Sequence, residues 1–430
     1  MTTRRGTSAH PSAAYGALCA PDPDPAALTR RQVLGGLLGL AGAGALGASL
    51  PAWAEAAGAA PLPAEAPVLV VLVADGGNDF LNTVPLTGAG RYHDLRRGLA
   101  IPDGTALPLG DGFHLHPELR WCKEEWDAGR LAVVNGVGDP ARDRSHFASL
   151  TNLMAGHAAG GQTAGWIGRY LDAVNASPLA GVSIGDNGIP FQFRRARGSV
   201  VGLPLTGSLF GANPNGNQIA DRSLLRAVRA VARRPPALGP WADAVVTTQR
   251  FATEVAAAVE PAYQAVDDTP ADRSLERKLR LATALIELDI GAHVVGMAHT
   301  DFDNHADLRP NHDALLTELD RGLRQFFQSL DDRWRRRTVV LVISEFGRRP
   351  GGNGSRGVDH GTAGASLLVG PRVRGGLYGE YPSLRRLDPE GDLIHTTDFR
   401  RVYASVLGPL LGSDPQALLG GDYADLGVIR

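Results

Sequence analysis

The amino-acid sequence predicts an α/β protein, with a mostly parallel central sheet and helices on both of its faces. Three observations carry that expectation. Continuous apolar runs of strand length recur at 68–77 (VLVVLVADGG), 130–138 (RLAVVNGVG), 292–299 (AHVVGMAH) and 338–344 (TVVLVIS). They lack the alternation of a half-solvated strand, so each reads as a strand buried on both faces. Segments of helical apolar spacing lie between them, the order expected of parallel strands joined by helices. The runs also stop abruptly at polar turns, and in such sheets ligands collect where loops leave the carboxyl ends of the strands.

The chain opens on a leader. Residues 29–54, TRRQVLGGLLGLAGAGALGASLPAWA, are too rich in Gly to make a good buried helix. Ala52-Trp53-Ala54 fits the A-x-A pattern that precedes signal-peptidase cleavage. Thr29-Arg30-Arg31-Gln32-Val33-Leu34 resembles the twin-arginine export signature. That resemblance implies passage of a folded protein through the twin-arginine translocase, to the periplasm or the extracellular space. A membrane anchor is the competing reading, since the run approaches the roughly 20 residues a bilayer needs. Its weak hydrophobicity and cleavable end favour removal, so no stable anchor is expected afterwards. The expected organisation is a signal peptide over 1–54, a Pro/Ala linker over 55–66 and a single domain over 67–430.

Within that domain, 116–130 (HPELRWCKEEWDAGR) is helical and ends at Gly129, ahead of the second strand. Residues 175–265 are harder to read. They mix Gly/Pro/Asn-rich loops with an Ala/Arg-rich helical stretch, and are expected to form an insertion or cap on the same domain. The segment 274–291 is a helix leading into the third strand. Residues 311–334 form the clearest amphipathic helix, with Leu315, Leu319, Leu323, Phe326, Phe327 and Leu330 along one side. Its basic end, RWRRR at 333–337, reads as an exposed last turn. The fourth strand follows, and 365–370 (ASLLVG) supplies a fifth.

Composition excludes some classes. With 43 Lys and Arg against 45 Asp and Glu, the net charge of −2 offers no nucleic-acid footprint. There are two cysteines. Cys19 lies in the leader, so Cys122 stands alone in the mature chain, which excludes an internal disulfide and leaves a packed core thiol.

Metal-ligand residue types cluster where the strands end. Asp75 and Asp79 follow the first strand, and Asp143, Ser145 and His146 follow the second. His299, Asp301, Asp303, His305 and Asp307 follow the third, while Glu345, Arg348, Asp359 and His360 follow the fourth. A single Asp after a strand usually caps or turns the chain. Four strand ends on one edge of one sheet are a different matter, because together they deliver both imidazoles and carboxylates. That mixture suits Zn, Mn or Fe, with Mg or Ca where oxygens dominate. The candidate ligands are Asp75, Asp79, His146, Asp303, His305, Glu345, Asp359 and His360. Such a set could hold two ions about 4 Å apart.

ADGGND (74–79) matches neither the G-x-G-x-x-G nor the P-loop pattern, and no G-x-S-x-G elbow is present. Ser145 precedes a helical segment, where a serine acts as an N-cap or as an exposed nucleophile near backbone N–H groups. Both readings stay open.

A longer series of motifs carries a family resemblance. GGNDFLNTVPL (76–86), LHPEL (115–119), RSHF (144–147), GWIGRYLD (165–172), FDNHADL (302–308), SEFGRRP (344–350), VDHGTAGASLLVGPRVRGGLYGEYPSL (358–384) and TTDFRRVYASVLGPLLG (396–412) resemble the domain-of-unknown-function 1501 family. These are exported bacterial proteins placed near the alkaline phosphatase and sulfatase superfamily. The resemblance implies an alkaline-phosphatase-like α/β sandwich and metal-dependent hydrolysis of phosphate or sulfate esters.

Residue by residue, Asp75 resembles the acid ending the first strand, and Asp79 in GGND is the more typical family acid. Ser145 falls near the nucleophile. On chemical grounds apart from the resemblance, Arg348 beside Glu345 either pairs with oxygens of the transferred group or simply pairs with a surface carboxylate, and both readings stay open. Asp303, His305 and His360 resemble metal ligands. Glu345 stands where the superfamily has the Asp of an Asp-His pair, but its neighbour is Phe346. No Cys-x-Pro-x-Arg occurs, which does not support a formylglycine sulfatase. The alternative is an exported binding or assembly protein that keeps the fold without catalysis.

Overall fold

The computed structural model describes residues 60–157, 162–205, 218–234, 239–266 and 273–430. The leader over 1–54, its twin-arginine signature and the start of the linker lie outside the described residues. Strands are β1 (Val68–Ala74), β2 (Leu107–Gly110), β3 (Phe113–Leu115), β4 (Leu131–Gly138), β5 (Gly181–Ile184), β6 (Val201–Leu203), β7 (Val294–His299), β8 (Thr338–Ile343), β9 (Gly364–Val369), β10 (Gly376–Tyr378) and β11 (Thr397–Asp398). Helices are α1 (Phe80–Thr83), α2 (Gly90–Leu95), α3 (Arg120–Asp127), α4 (His146–Ala155), α5 (Trp166–Ala173), α6 (Gln218–Ala232) and α7 (Pro240–Ala265). They continue with α8 (Leu275–Glu287), α9 (Leu308–Ser329), α10 (Asp332–Arg335), α11 (Phe399–Leu407) and α12 (Pro415–Leu419).

The main sheet runs β10-β4-β9-β8-β1-β7-β5-β6, with β11 also on β4. β1 lies near its middle, pairing in parallel with β7 (Val70 opposite Val295) and β8 (Val70 opposite Val340). All seven β1 residues are buried. Val68, Val70, Leu72 and Ala74 point into one core with α3, α8 and α9, while Leu69, Val71 and Val73 point into a second with α5 and α11. This period of two, apolar on both sides, is why the strand reads as an unbroken apolar run. The fold is the expected one, a mostly parallel sheet covered by helices on both faces.

Three features differ from the sequence reading or go beyond it. β9 is antiparallel to both of its neighbours, β4 and β8. Its amino end therefore lies at the same sheet edge as the carboxyl ends of those strands. Between 175 and 265 the chain adds β5 and β6 to the main sheet itself, β5 pairing with β7. The 333–337 stretch is not an exposed last turn of α9, which ends at Ser329, but belongs to the separate short helix α10 and its end. Trp334 is buried there, with the Arg333 and Arg337 guanidinium groups 4.9 and 4.1 Å from its ring. Arg337 is buried too and donates to the carbonyls of Pro63 (2.9 Å) and Ala64 (2.5 Å), so its charge replaces missing backbone partners. Cys122 is a buried free thiol, as expected.

Candidate metal centre

The centre is assembled at one edge of the sheet, from the loops after β1, β4, β7 and β8. The loop after β1 turns through two glycines for separate reasons. Gly76 has φ +112°, and a Cβ there would lie 2.6 Å from the backbone nitrogen of Asp303. Gly77 has φ +75°, and a Cβ there would strike the Phe346 ring. Both take backbone conformations that a side chain disfavours, and both let other site loops approach closely.

His146, Asp303 and His360 each bring one ligand atom into a group lying within 4.8 Å of one another. His146 begins α4 and His360 precedes β9, so the antiparallel strand brings the late histidine to this edge. His146 Nε2 is 3.0 Å from His360 Nε2, and Asp303 Oδ1 lies 3.6 and 3.1 Å from the two. His305 adjoins them, with Nε2 2.9 Å from His360 Nε2 and 3.0 Å from Asp303 Oδ1. The group is open to solvent on one side, since Asp303 and His305 are nearly half exposed.

The other nitrogen of each ring decides its protonation. His146 Nδ1 faces Glu345 Oε1 at 2.7 Å, His305 Nδ1 faces Asp359 Oδ1 at 3.1 Å, and His360 Nδ1 faces the Arg144 carbonyl at 2.8 Å. Carboxylates and carbonyls only accept, so each Nδ1 carries the proton. In neutral rings the Nε2 lone pairs of His146 and His305 then each face that of His360, and all three rings lie near one carboxylate oxygen of Asp303. That arrangement is repulsive unless a cation or an added proton sits between them. Metal–ligand bonds of about 2.0–2.2 Å set neighbouring ligand atoms roughly 3.0–3.5 Å apart, close to the 3.0, 3.1 and 3.6 Å among His146, His360 and Asp303. The donor set therefore fits a divalent cation.

Electrostatics agree. Burial disfavours the charged form of His146, but its bonds to Asp303 and Glu345 outweigh this and raise its pKa to about 9. Burial likewise works against ionised Asp303, yet His146, His360 and Arg348 hold it far below the usual carboxylate range. Without a cation, a proton on His146 supplies the missing positive charge.

Several candidate ligands take other places. Glu345 is an orienting carboxylate. Its Oε1 accepts from Gly76 N (2.9 Å) as well as from His146, and its Oε2 accepts from Ser344 Oγ (3.0 Å). Asp359 is another, accepting from His305 and from Asn353 Nδ2 (3.0 Å). Such partners fix ring orientation and raise ligand basicity. Asp79 lies outside the group altogether. It forms a buried two-bond pair with Arg96, at 2.8 and 2.6 Å, because a buried guanidinium requires a carboxylate. Asp75 is partly buried close by, and burial followed by repulsion from Glu345 raises its pKa to about 6.

Arg348 is buried and cannot reach a substrate in this arrangement. All three guanidinium nitrogens are engaged: Nε with Gly77 O (2.7 Å), Nη1 with Val358 O (3.2 Å), and Nη2 with Gly76 O, Phe302 O and Asp303 Oδ1. It ties together the loops after β1, β7 and β8. Ser145 is exposed at the N-cap of α4, and its side chain makes no capping hydrogen bond. Phe346 packs as a wall, its ring 4.8 Å from His146 and 5.0 Å from His360.

Sequence reasoning missed Ser344, Asn353 and the Arg144 carbonyl. Ser344 and Asn353 immediately precede or lie near chosen residues, but nothing in their spacing separates them from ordinary turn residues. A backbone carbonyl leaves no sequence signal.

Sheet and centre together define an α/β protein with an imidazole–carboxylate cluster at the carboxyl edge of its strands. The chain belongs to the DUF1501 family, described as proteins of unknown function, whose profile matches residues 132–421. No curated protein matches it. Among solved structures it is similar to an alkaline phosphatase superfamily protein from Vibrio parahaemolyticus, with 10% identity, TM-score 0.35, and coverage of 83% of this chain and 72% of that one. It is similar to a sulfatase from Pseudoalteromonas sp., with 14% identity, TM-score 0.35 and coverage of 85% and 73%. A phosphonate monoester hydrolase of Agrobacterium radiobacter is similar at 11% identity, TM-score 0.32 and coverage of 83% and 78%.

Proposed function

We propose that this chain is an exported, divalent-metal-dependent hydrolase of phosphate or sulfate esters. The observation that carries the reading is the convergence of imidazole Nε2 atoms on Asp303, each ring's Nδ1–H being held from behind. A bound divalent cation supplies Lewis acidity to an ester oxygen or to the attacking group. His146, His360 and Asp303 would hold it, with His305 beside them. Glu345, Asp359 and the Arg144 carbonyl keep the rings aimed, and Arg348 keeps Asp303 ionised. Ser145, exposed next to His146 at the start of α4, is the proposed nucleophile toward phosphorus or sulfur.

Elemental analysis and turnover test this together. Protein supplemented with Zn or Mn is expected to retain the ion and to cleave p-nitrophenyl phosphate, its diester or p-nitrophenyl sulfate. Ser145→Ala is expected to abolish turnover with metal content unchanged. Full activity in that variant would remove Ser145 from the reaction. A metal-free protein that gains no stability on adding Zn, Mn or Ca would overturn the centre, because a loaded site stabilises the fold by mass action.

One observation favours a second reading, a non-catalytic binding or assembly protein. The buried guanidinium beside the centre is wholly occupied by protein groups, leaving it no part in holding a transferred group. A well-metallated protein that cleaves none of these esters would give this reading the lead. Export by the twin-arginine route is part of the proposal. Arg30→Lys with Arg31→Lys is expected to leave precursor in the cytoplasm, and unaffected export would exclude it.

A further inference from the structure

The helices α6 and α7 pack on one another, and only part of the pair is tied to the body of the protein. Val255, Val259 and Ala262, from the later turns of α7, join the core that α8 and α9 share. Val228, Ala232 and Val246 are buried too, but they lie outside the sheet's cores. Arg250 Nε reaches the Ala232 carbonyl at 3.4 Å, which puts the last turn of α6 beside residue 250. The opening turns of α7 precede residue 250 in the chain. They carry Trp241, 71% exposed, and Val245, 39% exposed. Four residues apart on a helix, the two share a face.

This end is also basic. Arg226 and Arg229 on α6, Arg233 and Arg234 just past it, and Arg250 on α7 are all exposed. Between 223 and 250 the one acid is Asp243, whereas the whole chain carries a net −2. Exposed arginines on this helix pair and an exposed Trp and Val at the start of α7 have two complementary needs, negative charge at one depth and an apolar medium at the next. A soluble polyanion satisfies the first alone. An anionic lipid surface satisfies both, with headgroups for the guanidinium groups and the interfacial zone for an indole ring.

We propose that the outer end of the α6–α7 pair docks on anionic membrane surfaces, with Trp241 and Val245 entering the interface and Arg229, Arg233 and Arg234 on the headgroups. The site is independent of the metal centre. The test uses the full chain with vesicles of phosphatidylcholine, with and without phosphatidylglycerol. Wild type is expected to sediment with the phosphatidylglycerol vesicles and to have part of its tryptophan fluorescence quenched by shallow doxyl-labelled lipid. Trp241→Ser should lose that quenched component and bind about tenfold more weakly. Arg229→Gln with Arg233→Gln and Arg234→Gln should bind at least as poorly and lose most of the salt dependence. Unchanged far-ultraviolet circular dichroism in these surface variants establishes that they fold. Equal quenching in wild type and Trp241→Ser overturns the proposal, as does failure of wild type to sediment. Tight binding to polyphosphate with no vesicle binding would mark a polyanion site and overturn it as well.

Discussion

His146, Asp303 and His360 differ from Glu345 and Asp359 in what their removal should do. Asp303→Ala or His360→Ala takes away an atom proposed to hold the ion, and should leave no divalent ion after dialysis. Glu345→Gln and Asp359→Asn only loosen a ring, and are expected to weaken metal affinity about 10–100-fold while keeping a measurable site. Competition with a chromophoric chelator separates the two outcomes, and equal losses would erase the distinction. Asp75 offers a test in pH. Its carboxyl is neutral below pH 3.8 in both folded and unfolded chains, and the unfolded chain loses its proton first as pH rises. Asp75's contribution to native stability therefore falls between pH 3.8 and about 6 and stays lower above that. In chelator-treated protein, Asp75→Asn should raise stability by about 1–2 kcal/mol near pH 8, after allowing for solvent screening, and by almost nothing near pH 4. Thermal melts at the two pH values read the difference. At this scale the sequence showed which loops carry chemistry, because His and Asp crowd the strand ends. It could not separate ligand from orienting group, since Asp303 and Asp359 have the same residue type and the same kind of loop. What tells them apart is the ring nitrogen each faces, Nε2 for Asp303 and the protonated Nδ1 of His305 for Asp359.

Among the elements, the short segment α1–α2 beneath the site depends on one buried pair. Arg96 and Asp79 have side chains 0% and 2% exposed. Asp79→Asn would leave the guanidinium charged, buried and without a carboxylate, and should destabilise the fold by roughly 3–5 kcal/mol. Denaturant unfolding checks this, and metal affinity per folded molecule should be unchanged because Asp79 touches no ligand. A loss of metal without a loss of stability would restore Asp79 as a ligand. The long strands β1, β4, β7 and β8 were legible because burial on both faces leaves an unbroken apolar run. β5 and β6 were not. They have four and three residues, set among Gly, Pro and Asn, too short for a period to show. The direction of β9 was hidden for another reason: an apolar run has the same composition whichever way it lies in the sheet. The basic 333–337 stretch misled because Trp334, one buried anchor, outweighs the charges flanking it.

For the whole molecule, the family resemblance and the α/β class were both legible, since ordered motifs and strand–helix alternation extend along most of the chain. The described helices give no candidate for crossing a membrane. Surface contact through the α6–α7 end and export through the leader are separate matters with separate tests. The centre itself joins remote parts of the sequence: His146 meets Glu345 across 199 positions and His360 across 214. Contacts of such separation carry a loop-closure cost that local contacts escape, so these are expected to close late in folding. A cation at this place would bind after the rate-limiting step and act as a staple on the finished fold. Adding Zn should then leave the refolding rate nearly unchanged and slow unfolding by about the factor it adds to the equilibrium constant. Stopped-flow refolding and chelator-triggered unfolding would show the asymmetry. Metal would govern how long the molecule lasts, and have little say in how quickly it forms.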